Sequence, residues 1–112
     1  MKVENTKAQM RKGVLEMCIL GLIAKQDAYP SDIIKELKKA ELIVVEGTLY
    51  PLLSRLKNAG LLEYYWQESK SGPPRKYYQI TEIGQDFLDA LHDGWKKLSK
   101  AVNYSTIKNQ AK

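Results

Sequence analysis

A chain of 112 residues, 44% of them apolar, has room for one domain and one core. Its net charge of +5 suits a polyanionic partner, while one cysteine and one histidine exclude an intramolecular disulfide and a four-ligand zinc site, so no metal or other cofactor is expected. The longest apolar run, Val14 to Ala24, is broken by Glu16 and too short to span a bilayer; residues 1–13 lack the apolar centre of a signal peptide, and a cytoplasmic protein without membrane contact is expected.

In chain order, residues 1–9 are polar and expected to fray. Met10 to Lys25 reads as the first helix. Val14, Leu15, Met17, Cys18, Ile19, Leu20, Leu22 and Ile23 fall on several of its faces, so it is buried on more than one side. So small a chain has little mass to cover such a helix, which hints at a partner chain. Cys18 reads as a small buried hydrophobe. Gln26 to Tyr29 is a turn. A second helix begins at Pro30 or Ser31, with proline in its first turn and Asp32 near its positive end. Ile33, Ile34 and Leu37 face inward; Lys35, Lys38 and Lys39 face out.

Glu41 to Val45 connects to a third helix that starts between Glu46 and Thr48. Leu49, Leu52, Leu53 and Leu56 make one stripe, Pro51 falls in the tolerant first turn, and Gly60 ends the helix. Leu61 to Trp66 and Lys76 to Ile80 read as the strands of a hairpin. Ser69 to Arg75 is its long basic tip, where Gly72-Pro73-Pro74 forbids regular structure.

The last helix runs from a Thr81 N-cap to about Val102. Ile83, Phe87, Leu91, Trp95, Leu98 and Val102 recur at helical spacing along a stripe of about 33 Å. The stripe outruns a three-helix core, so Phe87, Leu91, Trp95, Leu98 and Val102 are expected to meet a second copy of the chain. The tail Asn103 to Lys112 is polar and expected to be disordered. The fold class is mainly α with a small β-hairpin wing. Residues 1–80 form a winged helix-turn-helix, and residues 81–112 a C-terminal dimerisation helix and polar tail. That layout presents the third helix to the DNA major groove.

The ordered set Gly47, Thr48, Leu49, Tyr50, Pro51, Leu53, Arg55, Leu56, Gly60, Leu61, Leu62 resembles the hallmark run of the PadR family of bacterial transcriptional regulators. Arg75, Tyr77, Tyr78, Ile80, Thr81 and Gly84 resemble that family's wing ending. The resemblance covers about Met10 to Val102. It implies a homodimer that binds double-stranded DNA, typically a repressor on a pseudo-palindromic operator. Tyr29-Pro30-Ser31-Asp32 departs from the family's more usual Y-G-Y-E, which puts backbone contacts there in doubt.

On the third helix Thr48 offers a hydroxyl to a base edge, Pro51 an apolar contact to a thymine methyl, and Ser54 lies one turn along. The resemblance gives Tyr50 a phosphate role; packing on the wing is the other reading. Arg55 is open between phosphate binding and an intramolecular ion pair. In the wing, Lys70, Arg75 and Lys76 are placed for phosphates or the minor groove, and Ser31 and Lys35 for the backbone beside the second helix. The resemblance to short-form members gives Trp95 a place in a pore between subunits that takes small planar hydrophobic or cationic effectors. An indole face suits that task, and core packing is the alternative. Leu91, Asp93 and Leu15 are the weaker candidates for the same pocket.

No nucleophile–base pair, phosphate loop or metalloprotease motif occurs, so an enzyme is not expected. His92 reads as a surface or interface residue. The remaining rival is a winged-helix protein-interaction module without direct DNA binding. Acid on the exposed face of the third helix would favour it.

Overall fold

The computed structural model describes residues 1–107. Its elements in order are α1 (Val3–Lys25), α2 (Pro30–Lys39), α3 (Glu46–Asn58), β1 (Leu62–Ser69), β2 (Gly72–Ile80) and α4 (Glu82–Thr106). The core is where the apolar faces of the first three helices meet. Ile19, Leu20 and Ile23 of α1, Ile33 and Leu37 of α2, and Leu49, Leu53 and Leu56 of α3 are all buried. Leu61, Leu62 and Tyr78 close it from the hairpin side. Each such aliphatic side chain contributes ~1.5–3 kcal/mol on burial, which fixes α3 by three anchors within two turns.

α2 and α3 stop in the same way. At α2 the N–H of Leu42 donates to the Leu37 carbonyl at 2.8 Å and that of Glu41 to Lys38 at 2.9 Å. At α3 the N–H of Leu61 donates to Leu56 and that of Gly60 to Lys57, each at 3.0 Å. This closure needs a left-handed residue. Gly60 supplies it at φ 81°, but Glu41 supplies the other at φ 62°. For a residue with a Cβ that conformation costs about 1–2 kcal/mol.

Four expectations need correction. Residues 3–9 are helical rather than frayed, because nothing in Glu4-Asn5-Thr6-Lys7-Ala8-Gln9 interrupts a helix already nucleated downstream. A Glu4–Lys7 pair at 3.7 Å sits one turn apart on this stretch. At the other end α4 continues to Thr106, where the Ser105 and Thr106 hydroxyls donate to the carbonyls of Ala101 and Val102. Only residues 108–112 of the expected tail lie outside the described residues.

The hairpin differs most. Its strands reach Ser69 and Gly72, so the long tip shrinks to Lys70-Ser71. Gly72-Pro73-Pro74 lies within β2. The ladder register slips between Gln67 and Ser69, and Pro73 and Pro74 fall in that irregularity, where a missing N–H breaks no ladder bond. Gln26 to Tyr29 is also more than a turn. Ala28 and Tyr78 exchange backbone bonds of 3.1 and 2.8 Å, adding a short third rung to the ribbon.

α4 is rooted tightly. Thr81 is its N-cap, accepting from the Gly84 N–H at 2.9 Å, while its hydroxyl donates to the Gly60 carbonyl at 2.7 Å. Gly84 is the one buried residue of α4, and a Cβ there would overlap the Leu61 carbonyl. Beyond this root the stripe is largely uncovered. Phe87, Trp95, Leu98 and Val102 are all exposed, and Leu91 is half-buried against the core.

Candidate nucleic-acid interface

Because Leu49, Leu53 and Leu56 anchor α3 from beneath, its other side faces solvent. Thr48, Pro51 and Ser54 form an i, i+3 ridge across that side, and all three are exposed. Thr48 stands at the edge toward α1, where it shares a cleft of about 240 Å³ with Arg11 and Leu15. Tyr50 stands at the opposite edge, 47% exposed, with no ring stacked on it and no side-chain hydrogen bond among the described residues. Glu46 is the single acid of α3 and lies in its first turn, whereas Arg55 and Lys57 lie in its last.

Of the two readings of Arg55, the structure holds the intramolecular ion pair. Its guanidinium is salt-bridged to the Glu16 carboxylate of α1. The cause is helical spacing: Arg55 falls on the α1 side of α3, a quarter turn or more from Ser54. No spacing along the chain marks Glu16 as the partner, since the two residues are brought together only by the packing of α1 on α3.

The wing cations are also not side by side. Successive strand residues point to opposite faces, so Arg75 and Lys76 straddle the ribbon. Arg75 lies over the Tyr29 ring at 4.6 Å, on the face carrying the stacked Tyr65 and Tyr77. Lys76 lies over Tyr64 at 4.0 Å on the other face, beside Trp66 and Tyr78. Cation–π attraction holds both along the ribbon instead of leaving them free. Lys70 alone stands at the turn, exposed.

The Tyr65 hydroxyl donates to Asp27 at 2.8 Å, tying the wing to the start of α2. That bond, which deprotonation would destroy beside a carboxylate, pushes the phenol above its ordinary range. Tyr29 caps α2, its N–H donating to Asp32 at 3.4 Å. Lys35 is exposed and Ser31 half-buried, so Lys35 is the freer of the two.

A separate feature lies between α1 and α4. α1 and α4 diverge to leave an apolar trough. One stretch of about 360 Å³ runs between Val14, Glu16 and Met17 of α1 and Phe87, Leu91 and Trp95 of α4. A second, about 510 Å³, continues past Trp95 along Met10, Leu98 and Val102. Trp95 and Leu91 both line the first stretch. Leu15 and Asp93 are not part of the trough. Leu15 points into the core and the α3 cleft, and Asp93 projects outward to pair with Lys97 at 3.3 Å. Val14 and Met17 take Leu15's place. Met10, Val14 and Met17 form a second helical stripe in α1, and that spacing was the available signal. Cys18 is half-buried, and burial pushes its thiol pKa up, away from reactivity.

Among the described residues there is no cluster of metal-ligating side chains, and no helix is long and apolar enough to cross a membrane. A three-helix core with an exposed third helix and a cation-bearing hairpin defines a winged helix-turn-helix of the DNA-binding regulator class. The chain belongs to the transcriptional regulator PadR-like family, whose model matches residues 19–90. It is therefore a transcriptional regulator and not an enzyme.

Solved relatives agree across nearly the whole chain. A PadR-like transcription factor from Bacteroides fragilis is 60% identical, covers 91% of this chain and 99% of its own, and superposes with a TM-score of 0.76. A PadR family regulator from Eggerthella lenta is 32% identical with a TM-score of 0.87, covering 96% and 94%. A PadR-like regulator from Bacillus cereus is 38% identical with a TM-score of 0.80, covering 90% and 99%.

Proposed function

We propose that this chain is a cytoplasmic repressor that binds a pseudo-palindromic operator as a homodimer and is released by a planar hydrophobic effector. Residues 1–80 read the DNA, one half-site per subunit, and α4 joins the subunits. The observation that carries this reading is the division of the exposed surface. The α3 ridge and wing offer polar and cationic groups, while Phe87, Trp95, Leu98 and Val102 leave a long apolar stripe on α4. A stripe of that size on so small a chain calls for a partner surface.

In the groove, Thr48, Pro51 and Ser54 meet base edges, and Tyr50 meets a phosphate. Lys70, Lys35 and the outer edge of Arg75 supply further backbone contacts, with Ser31 and Lys76 secondary. Arg55 acts through Glu16 instead. The effector lies against Trp95 and Leu91 in the trough, where the two-fold axis brings a second Trp95 opposite the first.

Two measurements test this together. A mobility shift with promoter fragments shows a dimer on a single inverted repeat, with affinity falling about a thousandfold between 50 and 200 mM salt, as for six or more phosphate contacts. With Trp66→Phe leaving Trp95 as sole reporter, planar aromatic compounds quench its fluorescence at one ligand per dimer. Binding that ignores DNA sequence refutes the operator; a silent Trp95 refutes the effector site.

A further inference from the structure

We propose that the face of the wing bearing Trp66 is a stacking platform for single-stranded nucleic acid, separate from the α3 ridge assigned above to duplex DNA. Trp66 is 63% exposed, the most exposed ring of the hairpin, and takes no part in the core. The site is additional to the operator reading and does not rest on it.

The platform is built by the ribbon register. Tyr64 pairs with Tyr78 and Trp66 with Lys76 across the strands, so all four side chains share one face. Tyr78 is buried at the inner end of that face, and toward the turn the face opens to solvent. The Tyr64 and Trp66 rings meet at 84° with centroids 6.4 Å apart, which makes a corner rather than a closed stack. Two ammonium groups border it. Lys76 lies 4.0 Å from the Tyr64 centroid and 5.9 Å from that of Trp66. Lys57, from the last turn of α3, lies 5.6 Å from Tyr64. Strand alternation turns Glu63 to the opposite face, where it accepts from the Gln79 amide at 2.5 Å. Glu68 stands nearer the turn, where the register slips.

The chemistry of this corner selects its occupant. Tyr64 already carries a cation over its ring, so the indole is the free surface. In a duplex each base face is hidden by its neighbours, and only groove edges and phosphates are offered. An exposed indole therefore gains from a base only when that base is unpaired and unstacked. Lys76 and Lys57 then flank the stacked base and meet the phosphates beside it. Because the rings already restrain Lys76, little further ordering is needed when a strand arrives. An acidic peptide would satisfy the two cations but has nothing flat to lay on the indole.

The test is the anisotropy of a labelled oligothymidylate of about 12 nucleotides, set against an abasic oligomer of equal length and charge, with the full chain. The base-bearing strand binds roughly tenfold more tightly than the abasic one. Trp66→Leu, which keeps an apolar side chain without a π face, removes that difference, and Trp66→Phe keeps most of it. Lys57→Ala weakens both strands alike. Operator affinity, measured on the same proteins, is unchanged by Trp66→Leu. Oligouridylate in the same assay shows whether the site takes RNA or DNA, and Trp66-dependent binding of either supports the platform. Equal affinity for the base-bearing and abasic strands overturns it, because charge alone would then account for binding. So does a Trp66→Leu protein of unaltered helical signal that loses operator and single strand to the same degree, because the two would then share one surface.

Discussion

Tyr50 is the residue whose role depends most on its being unoccupied. It stands 47% exposed at the edge of α3 with no stacking or hydrogen-bonding partner among the described residues, and the proposed role for its hydroxyl is a phosphate contact. Tyr50→Phe is expected to weaken operator and non-operator DNA by similar factors, whereas Ser54→Ala and Thr48→Ala change which operator is preferred. Competition binding against a randomised half-site separates the two outcomes, and a Tyr50→Phe protein with altered sequence preference reverses the assignments. Glu41 offers a test of backbone rather than contact. It holds a left-handed conformation that Gly60 holds without penalty. Glu41→Gly is expected to stabilise the fold by roughly 0.5–1 kcal/mol, the relieved strain less the extra chain entropy of glycine, read as a rise in the denaturation midpoint. No sequence pattern marked Glu41, because a Schellman closure is recognised by its glycine and this one has none.

At the scale of elements, the wing shows why charge in a sequence is not yet charge at an interface. Lys70, Arg75 and Lys76 read as one basic cluster. In the folded hairpin they part: Lys70 at the turn, Arg75 on Tyr29, Lys76 on Tyr64. Lys70→Ala is therefore expected to lower the slope of log affinity against log salt by about one per contact, and Lys76→Ala by much less. Equal slopes for the two variants would show that the rings do not restrain Lys76. The helices themselves were legible, since leucine spacing in α3 and the long stripe in α4 leave little freedom in either element. Pairings between elements were not. The Arg55–Glu16 bridge, the Ala28–Tyr78 rung and the exchange of Leu15 for Val14 and Met17 all depend on how α1 is rotated against its neighbours. Hydrophobic periodicity fixes that rotation only to within a stripe width. The two prolines in β2 misled for a related reason, because a ribbon irregularity absorbs what a regular ladder would reject.

For the whole molecule, the exposed stripe along α4 is the surface on which the proposed dimer depends. Leu98 is 57% exposed in the single chain and makes no part of its core. Leu98→Asp is expected to leave the helical signal intact while shifting sedimentation from twice the 12.8 kDa chain mass to the chain mass itself. Leu91→Asp is a poorer choice, because Leu91 also packs on the core. A Leu98→Asp protein that still sediments as a dimer would place the subunit contact elsewhere. The seat of Gly84 on the Leu61 carbonyl has a further effect, which is geometric. It sets the angular phase of α4 at its origin, so every later residue inherits its compass direction from that one point. A single residue inserted between Gly84 and Phe87 advances the helix beyond it by about 100°, turning Trp95 out of the trough with no change in composition. Seven inserted residues, about two turns, return the stripe nearly to its original bearing but displace it about 10 Å along the axis. The short insertion is expected to abolish both dimer and ligand site, and the longer one to restore a dimer whose two DNA-reading heads no longer match the same operator spacing.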